Sequence, residues 1–257
     1  MGAQGDIAER KSHNGLKTAV ITGSTKGIGL AVARDLLQRG YRVLLNYSSD
    51  EKTANDVQTE LSRCYPDNQY KIIKADLSDL NSCEYIRKEA YLFLNKIDIL
   101  ILNAGSTCRE SYESTTLDDW HNVIDTNLTV PFFLIQKLLP MISKGGKILC
   151  IGSIMGIYPH ATSLPYGISK AGLHYMVRSM VKVLTPYGIT INAVCPGFID
   201  TAWQNGKSSD IRDSIEDKIA LGRFGTPEEV SSLCVNVLSN DYLNGSVLVI
   251  DGGYCYE

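Results

Sequence analysis

Thr18-Ala-Val-Ile-Thr-Gly23-Ser-Thr-Lys-Gly27-Ile-Gly29 is the stretch from which the rest of the chain can be ordered. Thr18–Ile21 is a short apolar run that ends in a glycine-punctuated turn. Beyond the turn, Ile28, Val32 and Leu36 recur at i, i+4 and i+8, the period of one helix face. Gly40 stops that helix. Strand, glycine turn and helix in this order form the first half of a βαβ unit, and the rhythm repeats outward. Further strands are predicted at 42–46, 70–74, 97–102, 147–151, 189–194 and 246–250. Helices are predicted at 50–63, 79–95, 117–142, 165–186, 208–219 and 227–239. Ile97-Asp-Ile-Leu-Ile-Leu102 is almost continuously apolar, as a parallel strand covered on both faces must be.

This alternation predicts an α/β fold: a single Rossmann-type, doubly wound parallel sheet with helices on both faces. No linker, repeat or low-complexity tract divides the 257 residues. The expectation is a flexible N-terminal tail at 1–16 and one domain at 17–257. The least periodic stretch, within 200–220, is a candidate lid. A net charge of −3 offers no footprint for nucleic acid or an anionic membrane. No apolar run is long enough to span a bilayer, and residues 1–15 lack an apolar secretory core. Gly2 to Asp6 fits a myristoylation start poorly, because position 6 is Asp. The seven cysteines are odd in number and contain no Cys-x-x-Cys, which argues against a disulfide framework or a metal site. Reduced thiols in the cytoplasm are expected, with Cys108, Cys150 and Cys195 as packing residues.

The glycine turn also carries chemistry. Gly23 permits a tight turn, Gly27 lets backbone approach a pyrophosphate, and Gly29 lets helix and strand pack closely. Ser24, Thr25, Lys26 and Ile28 complete this loop, and the helix start offers N–H groups to an anion. At the end of the second strand, an acid would accept from a ribose 2′-hydroxyl. Here Asn46, Tyr47 and Ser48 stand instead, with no acid before Asp50. With Lys26 in reach of a 2′-phosphate, NADP(H) is favoured over NAD(H).

Tyr166 and Lys170 stand at i, i+4 and share one helix face. An ammonium beside a phenol favours phenolate, which suits proton exchange with a carbonyl or alcohol oxygen. In order along the chain lie the glycine loop, Asp76 in Ala-Asp-Leu77, Asn103-Ala104-Gly105, Asn127, Ser153, Tyr166-x3-Lys170, and Pro196-Gly197 followed by Thr201. On these motifs the chain resembles the short-chain dehydrogenase/reductases over essentially all of residues 17–257.

The resemblance implies roles. Tyr166 is the general acid, Lys170 lowers its pKa and bonds the nicotinamide ribose, and Ser153 holds the substrate oxygen. Asn127 holds a water that links Lys170 to solvent. Asp76 meets the adenine, with Leu77 beside it, Asn103 to Gly105 run beneath the adenosine ribose, and Ile199 and Thr201 hold the carboxamide. The physics agrees: donors aimed at the oxygen where alkoxide charge develops stabilise it, and no metal is needed. His160 and His174 are expected to be surface or packing residues.

The resemblance extends to 3-oxoacyl-acyl-carrier-protein reductases through Gly222–Val230 and Asn244–Gly253. Phe133 and Lys182 stand where those enzymes commonly carry arginines for the carrier, which weakens the case for a carrier protein. The expected substrate is a small carbonyl or alcohol compound. Ile154, Met155, Ile157, Tyr158, Leu164, Phe198 and Trp203 suggest a hydrophobic one. The family also implies a homotetramer. The competing class is a non-catalytic nucleotide sensor on the same fold.

Overall fold

A computed structural model describes residues 15–159 and 161–256. The tail expected at 1–16 therefore lies almost wholly outside the described residues, as do the Gly2–Asp6 segment and His160.

Seven parallel strands form one sheet: β1 (Thr18–Ile21), β2 (Arg42–Tyr47), β3 (Tyr70–Lys74), β4 (Ile97–Leu102), β5 (Ile142–Ile151), β6 (Thr190–Pro196) and β7 (Val247–Ile250). Their order across the sheet is β3-β2-β1-β4-β5-β6-β7. The helices are α1 (Gly27–Gln38), α2 (Glu51–Cys64), α3 (Ser82–Phe93), α4 (Leu117–Ile124), α5 (Val130–Leu138), α6 (Leu164–Leu184), α7 (Ser209–Glu216) and α8 (Pro227–Ser239).

Both faces of the sheet are apolar, because successive strand residues point to opposite sides. Ala19, Ile21, Val43 and Leu45 pack with Leu36 and Leu37 of α1, Leu61 of α2 and Val230 of α8. Val20, Leu44 and Leu100 face the other way, onto Ile86 of α3, Leu134 of α5 and Val177 of α6. Neither layer alone hides the sheet, so the chain must wind outward from β1 to β3 and return on the other side to β4. That reversal opens a crevice beyond the carboxyl ends of β1 and β4, where α/β sheets bind ligands.

Two differences from the sequence pattern matter for the site. The helix expected at 117–142 is interrupted. Between α4 and α5 the backbone makes a π-helical turn at Asp125–Thr129, and Val130 N–H reaches back to the Asp125 carbonyl. Pro131 has no N–H, so the Asn127 carbonyl four residues earlier cannot take its α-helical partner. Such widened turns cluster at functional positions. In addition, β5 begins five residues earlier than its apolar run, through an irregularity that takes the pairing from Ile97–Ile142 to Ile99–Lys147.

Candidate active site

The glycine turn is held by close contacts. Gly23 has φ +59°, and a Cβ there would lie 2.8 Å from Ala104 Cα. A Cβ on Gly29 would overlap Asn103 Nδ2 and sit 2.5 Å from the Gly23 carbonyl oxygen. Polar side chains lock the turn to its neighbours. Asn103 Nδ2 donates to the Thr22 and Gly23 carbonyls at 3.0 and 2.7 Å. Asn46 Oδ1 accepts from Gly23 N–H, while its Nδ2 donates to the Tyr47 and Ala75 carbonyls. Ser24 Oγ donates to the Ile21 carbonyl and accepts from Asn46 N–H. Asn46, Asn103 and Ser24, expected as ligand contacts, thus spend their side chains on loop geometry.

The result is an open helix end. Lys26, in extended conformation, precedes α1, and neither a side-chain cap nor an acid serves its first turn. Those N–H groups and the positive end of the helix dipole face the crevice. Nearby, Lys26 Nζ is 3.7 Å from Asp50 Oδ2. Asp50 is occupied as the cap of α2, accepting from Thr53 N–H and Thr53 Oγ. These bonds hold its carboxyl below the usual range. Tyr47, Ser48, Asp76 and Leu77 line the same end of a cleft of about 1040 Å³. Asp76 accepts from Ser78 N–H and Oγ with one oxygen.

Ser153, Tyr166 and Lys170 converge on the middle of this cleft. Ser153 follows β5 in extended conformation and accepts from Met155 N–H at 3.2 Å. Its hydroxyl bonds the Tyr166 phenol. Ser163, just before α6, sits in the left-handed region at φ +57°, a strained position for a non-glycine residue. Lys170 is buried, donates to the Ile151 carbonyl at 2.7 Å, and lies 5.6 Å from the Tyr166 ring centre.

The expected lowering of the Tyr166 pKa does not appear in the protein by itself. Burial pushes the phenol up to about 12, only partly countered by the Ser153 bond. Burial also pulls the Lys170 ammonium down to about 8, which still leaves it largely charged at neutral pH. Desolvation outweighs a charge across 5.6 Å.

Asn127 does not aim its side chain at Lys170. Its Oδ1 accepts from Ser106 N–H at 2.8 Å, and its Nδ2 donates to the Ser106 carbonyl and to Ser169 Oγ, both at 2.9 Å. Ser169 Oγ donates in turn to the Tyr166 carbonyl. Asn127 therefore ties the π turn to α6, and what remains to hold a water is its main-chain carbonyl. Ser106 and Ser169 escaped notice in the sequence; the one signal was a small polar residue one turn from Tyr166.

His174 is a buried packing residue, one of the two roles expected for it. Its Nε2 accepts from Ser153 N–H at 3.4 Å, and it lies 3.1 Å from Cys195 Sγ. An accepting Nε2 places the ring proton on Nδ1. Burial, then Lys170, pulls the imidazole down to about 4. Cys108, Cys150 and Cys195 are buried as expected, and burial pushes the thiols of Cys150 and Cys195 up to about 12.

Pro196, Gly197, Ile199 and Thr201 line the far wall, where a Cβ on Gly27 would meet Thr201 Cγ2 at 3.3 Å. The segment after them folds over the cleft: Ala202–Gln204 makes one 3-10 turn, and the Trp203 ring lies 6.0 Å from that of Tyr166. Ile154, Met155, Phe198 and Trp203 line the substrate end. Ile157, Tyr158 and Leu164 do not; they remain exposed outside it.

A family model described as enoyl-(acyl carrier protein) reductase matches residues 23–255. The chain is 34% identical over 241 residues to the 3-oxoacyl-[acyl-carrier-protein] reductase FabG of Aquifex aeolicus, covering 92% of this chain and 96% of that one. It superposes on the RhlG/NADP active-site complex of Pseudomonas aeruginosa with a TM-score of 0.85, at 30% identity, covering 93% of this chain and 96% of that one. A short-chain dehydrogenase from Burkholderia cenocepacia in complex with NADP gives a TM-score of 0.86 at 28% identity, with 93% and 98% covered.

Proposed function

The chain belongs to the short-chain dehydrogenase/reductase family, and on that premise we propose that residues 17–257 act as one NADP(H)-dependent carbonyl reductase domain. The observation that carries the reading is a single cleft. It joins an uncapped helix N-terminus to a hydrogen-bonded Ser153–Tyr166 pair with Lys170 beneath.

The residues present fit the dinucleotide. The first turn of α1 would hold the pyrophosphate, with Gly23 and Gly27 keeping side chains away from it. Lys26 would meet the 2′-phosphate, since Asp50 is committed to capping α2. Asp76 and Leu77 would flank the adenine, Ala104 and Gly105 the ribose, and Ile199 and Thr201 the carboxamide. Bound NADPH supplies the hydride. Ser153 then holds the carbonyl oxygen and Tyr166 gives it the phenolic proton. A phenol at about 12 is a loaded donor throughout the neutral range, and the alkoxide formed at the carbonyl is the stronger base. Lys170 would hold the ribose and refill Tyr166 through water at the Asn127 carbonyl.

Tyr166→Phe tests this assignment. It should lower kcat by about 10²–10⁴-fold while NADPH affinity stays within twofold of about its starting value. Full activity in the variant would refute Tyr166 as acid. NADPH binding without turnover of any carbonyl by the unaltered protein would favour the sensor reading.

A 3-oxoacyl thioester is the second reading, favoured by the similarity to FabG. Phe133 packs against the core rather than offering a contact to an acidic carrier. A homotetramer in the cytoplasm completes the proposal. It is supported by exposed Phe132, Ile168, Tyr175 and Val183 on α5 and α6, by the half-exposed edge strand β7, and by unpaired cysteines. No helix among the described residues is long and apolar enough to cross a membrane. Light scattering that gives one-chain mass would overturn the tetramer.

A further inference from the structure

Charge is placed unevenly along the cleft. The two acids that line it, Asp50 and Asp76, follow β2 and β3 at one end. Arg109, Lys207 and Lys218 line it at the other, between the loop after β4 and the segment after Thr201. The whole chain carries −3, so this is not a generally basic surface.

Lys207 is half-buried, and its ammonium is pulled down by burial and then by neighbouring Arg109 and Arg212. Arg212 is balanced by Asp200 at 3.2 Å. Arg109 Nη2 donates only to a neutral group, the Trp203 carbonyl, at 2.7 Å. Among the described residues, neither Lys207 nor Arg109 has a carboxylate within ion-pair distance. Asp210, Asp213 and Glu216 of α7 do not line the cleft. Lys207, partly withdrawn from water beside an exposed Arg109, is held unfavourably until an anion joins them.

A second observation is independent of charge. Gln204, beside Trp203, is 8% exposed, and its Oε1 is buried with no hydrogen-bond partner. It lines the same cleft. A native buried amide end without a partner calls for one from a ligand. As placed, that oxygen is an acceptor and takes a donor; an anion is matched at this position only with the amide turned so that Nε2 stands where Oε1 now lies. Gln204 adjoins Trp203 in the chain and Arg109 bonds its carbonyl, and the Trp203 ring is 6.0 Å from the Tyr166 ring. An anion held here by a bound ketone would lie on the substrate near its carbonyl rather than on a distant carrier.

We propose that the substrate is a ketone bearing a small anionic group, a carboxylate or a phosphate monoester, gripped by Lys207 and Arg109 with Gln204 beside them. The proposal rests on the reductase reading and narrows its substrate class; it replaces the purely hydrophobic ketone expected from the sequence.

Matched pairs test it: 5-oxohexanoate against its methyl ester, and hydroxyacetone phosphate against hydroxyacetone, each with NADPH. In one pair, kcat/KM for the anion should exceed that of its neutral partner by about tenfold, a preference that added salt reduces. Which pair responds identifies the anion. In Lys207→Gln the ratio should fall to near one. A binding arm needs no turnover: calorimetric titration of hexanoate and of methyl phosphate into the NADP⁺-loaded protein should show saturable binding of one of them, lost in Lys207→Gln. Equal kcat/KM within both pairs, with no saturable binding, overturns the proposal and leaves the reductase reading standing. A rise in KM for NADPH in Lys207→Gln at unchanged substrate preference also overturns it, because the cations would then serve the cofactor. Lys207-dependent anion binding without reduction of any ketone upholds the anion site and defeats the reductase reading.

Discussion

Replacing Lys170 by Met should stabilise the cofactor-free protein at neutral pH while removing its turnover. Lys170 is 3% exposed, and burial takes its ammonium from an ordinary 10.5 to about 8. Each tenfold change in proton affinity corresponds to about 1.36 kcal/mol, so holding the charged form inside costs the folded state about 3 kcal/mol. Below pH 8 both folded and unfolded chains carry the proton, and the cost is felt in full. Between pH 8 and 10.5 the unfolded chain binds the proton more tightly, so stability rises with pH. Above 10.5 neither form is charged and the cost is gone. Met keeps an apolar stem without a charge, but the Ile151 carbonyl loses its donor, worth about 1 kcal/mol. The net gain at pH 7 is about 2 kcal/mol, and it should vanish toward pH 10. Tyr166 and the buried cysteines titrate in both proteins and cancel in the difference. Urea unfolding followed by the fluorescence of Trp120 and Trp203, at several values from pH 7 to pH 10, reads it directly. A variant less stable than the parent at pH 7, or a difference that does not change with pH, would refute the account of Lys170 as a buried cation kept for function at the expense of stability.

Three other outcomes follow from the geometry. Gly29→Ala forces a methyl into Asn103 and the Gly23 carbonyl; it should cost about 2–4 kcal/mol, seen as a lower Tm, and weaken NADPH binding at least about tenfold. His174→Leu leaves the Ser153 N–H buried without its acceptor; a loss of about 1–3 kcal/mol in stability is expected, with a fall in kcat that the affinity for NADPH does not share. Lys26→Ala should raise the KM for NADPH by about tenfold relative to NADH, an effect that shrinks in high salt because the ammonium is exposed. Equal change with both cofactors would remove Lys26 from the 2′-phosphate.

The fold was legible wherever one residue's environment repeats along an element. β1 and β4 coincide with their apolar runs because a strand packed on both sides has no room for a polar face. The glycine turn was legible because only glycine tolerates φ +59° at Gly23 and the contact at Gly29, so the backbone requirement is written as residue type.

Partnership across the sequence was not legible. Asn46, Asn103 and Asn127 look like ligand residues, yet their amides are consumed by main-chain groups and by Ser169 up to eighty-one residues away. The π turn at 125–129 depends on what Pro131 withholds and on Asn127 reaching α6, neither of which has a period. The proximity of Tyr166 and Lys170 was legible, but the upward shift of the phenol in the cofactor-free protein was not, because spacing reports proximity and burial is set by everything packed around it. By itself, then, the sequence determined the doubly wound sheet, the crevice that its strand reversal opens and the residues that converge there, through backbone and face requirements that are local. Tertiary structure alone decided which of those side chains are struts and which remain free. It also decided what burial does to their protons and where the unmatched cations lie, since desolvation and pairing depend on groups far apart in the chain.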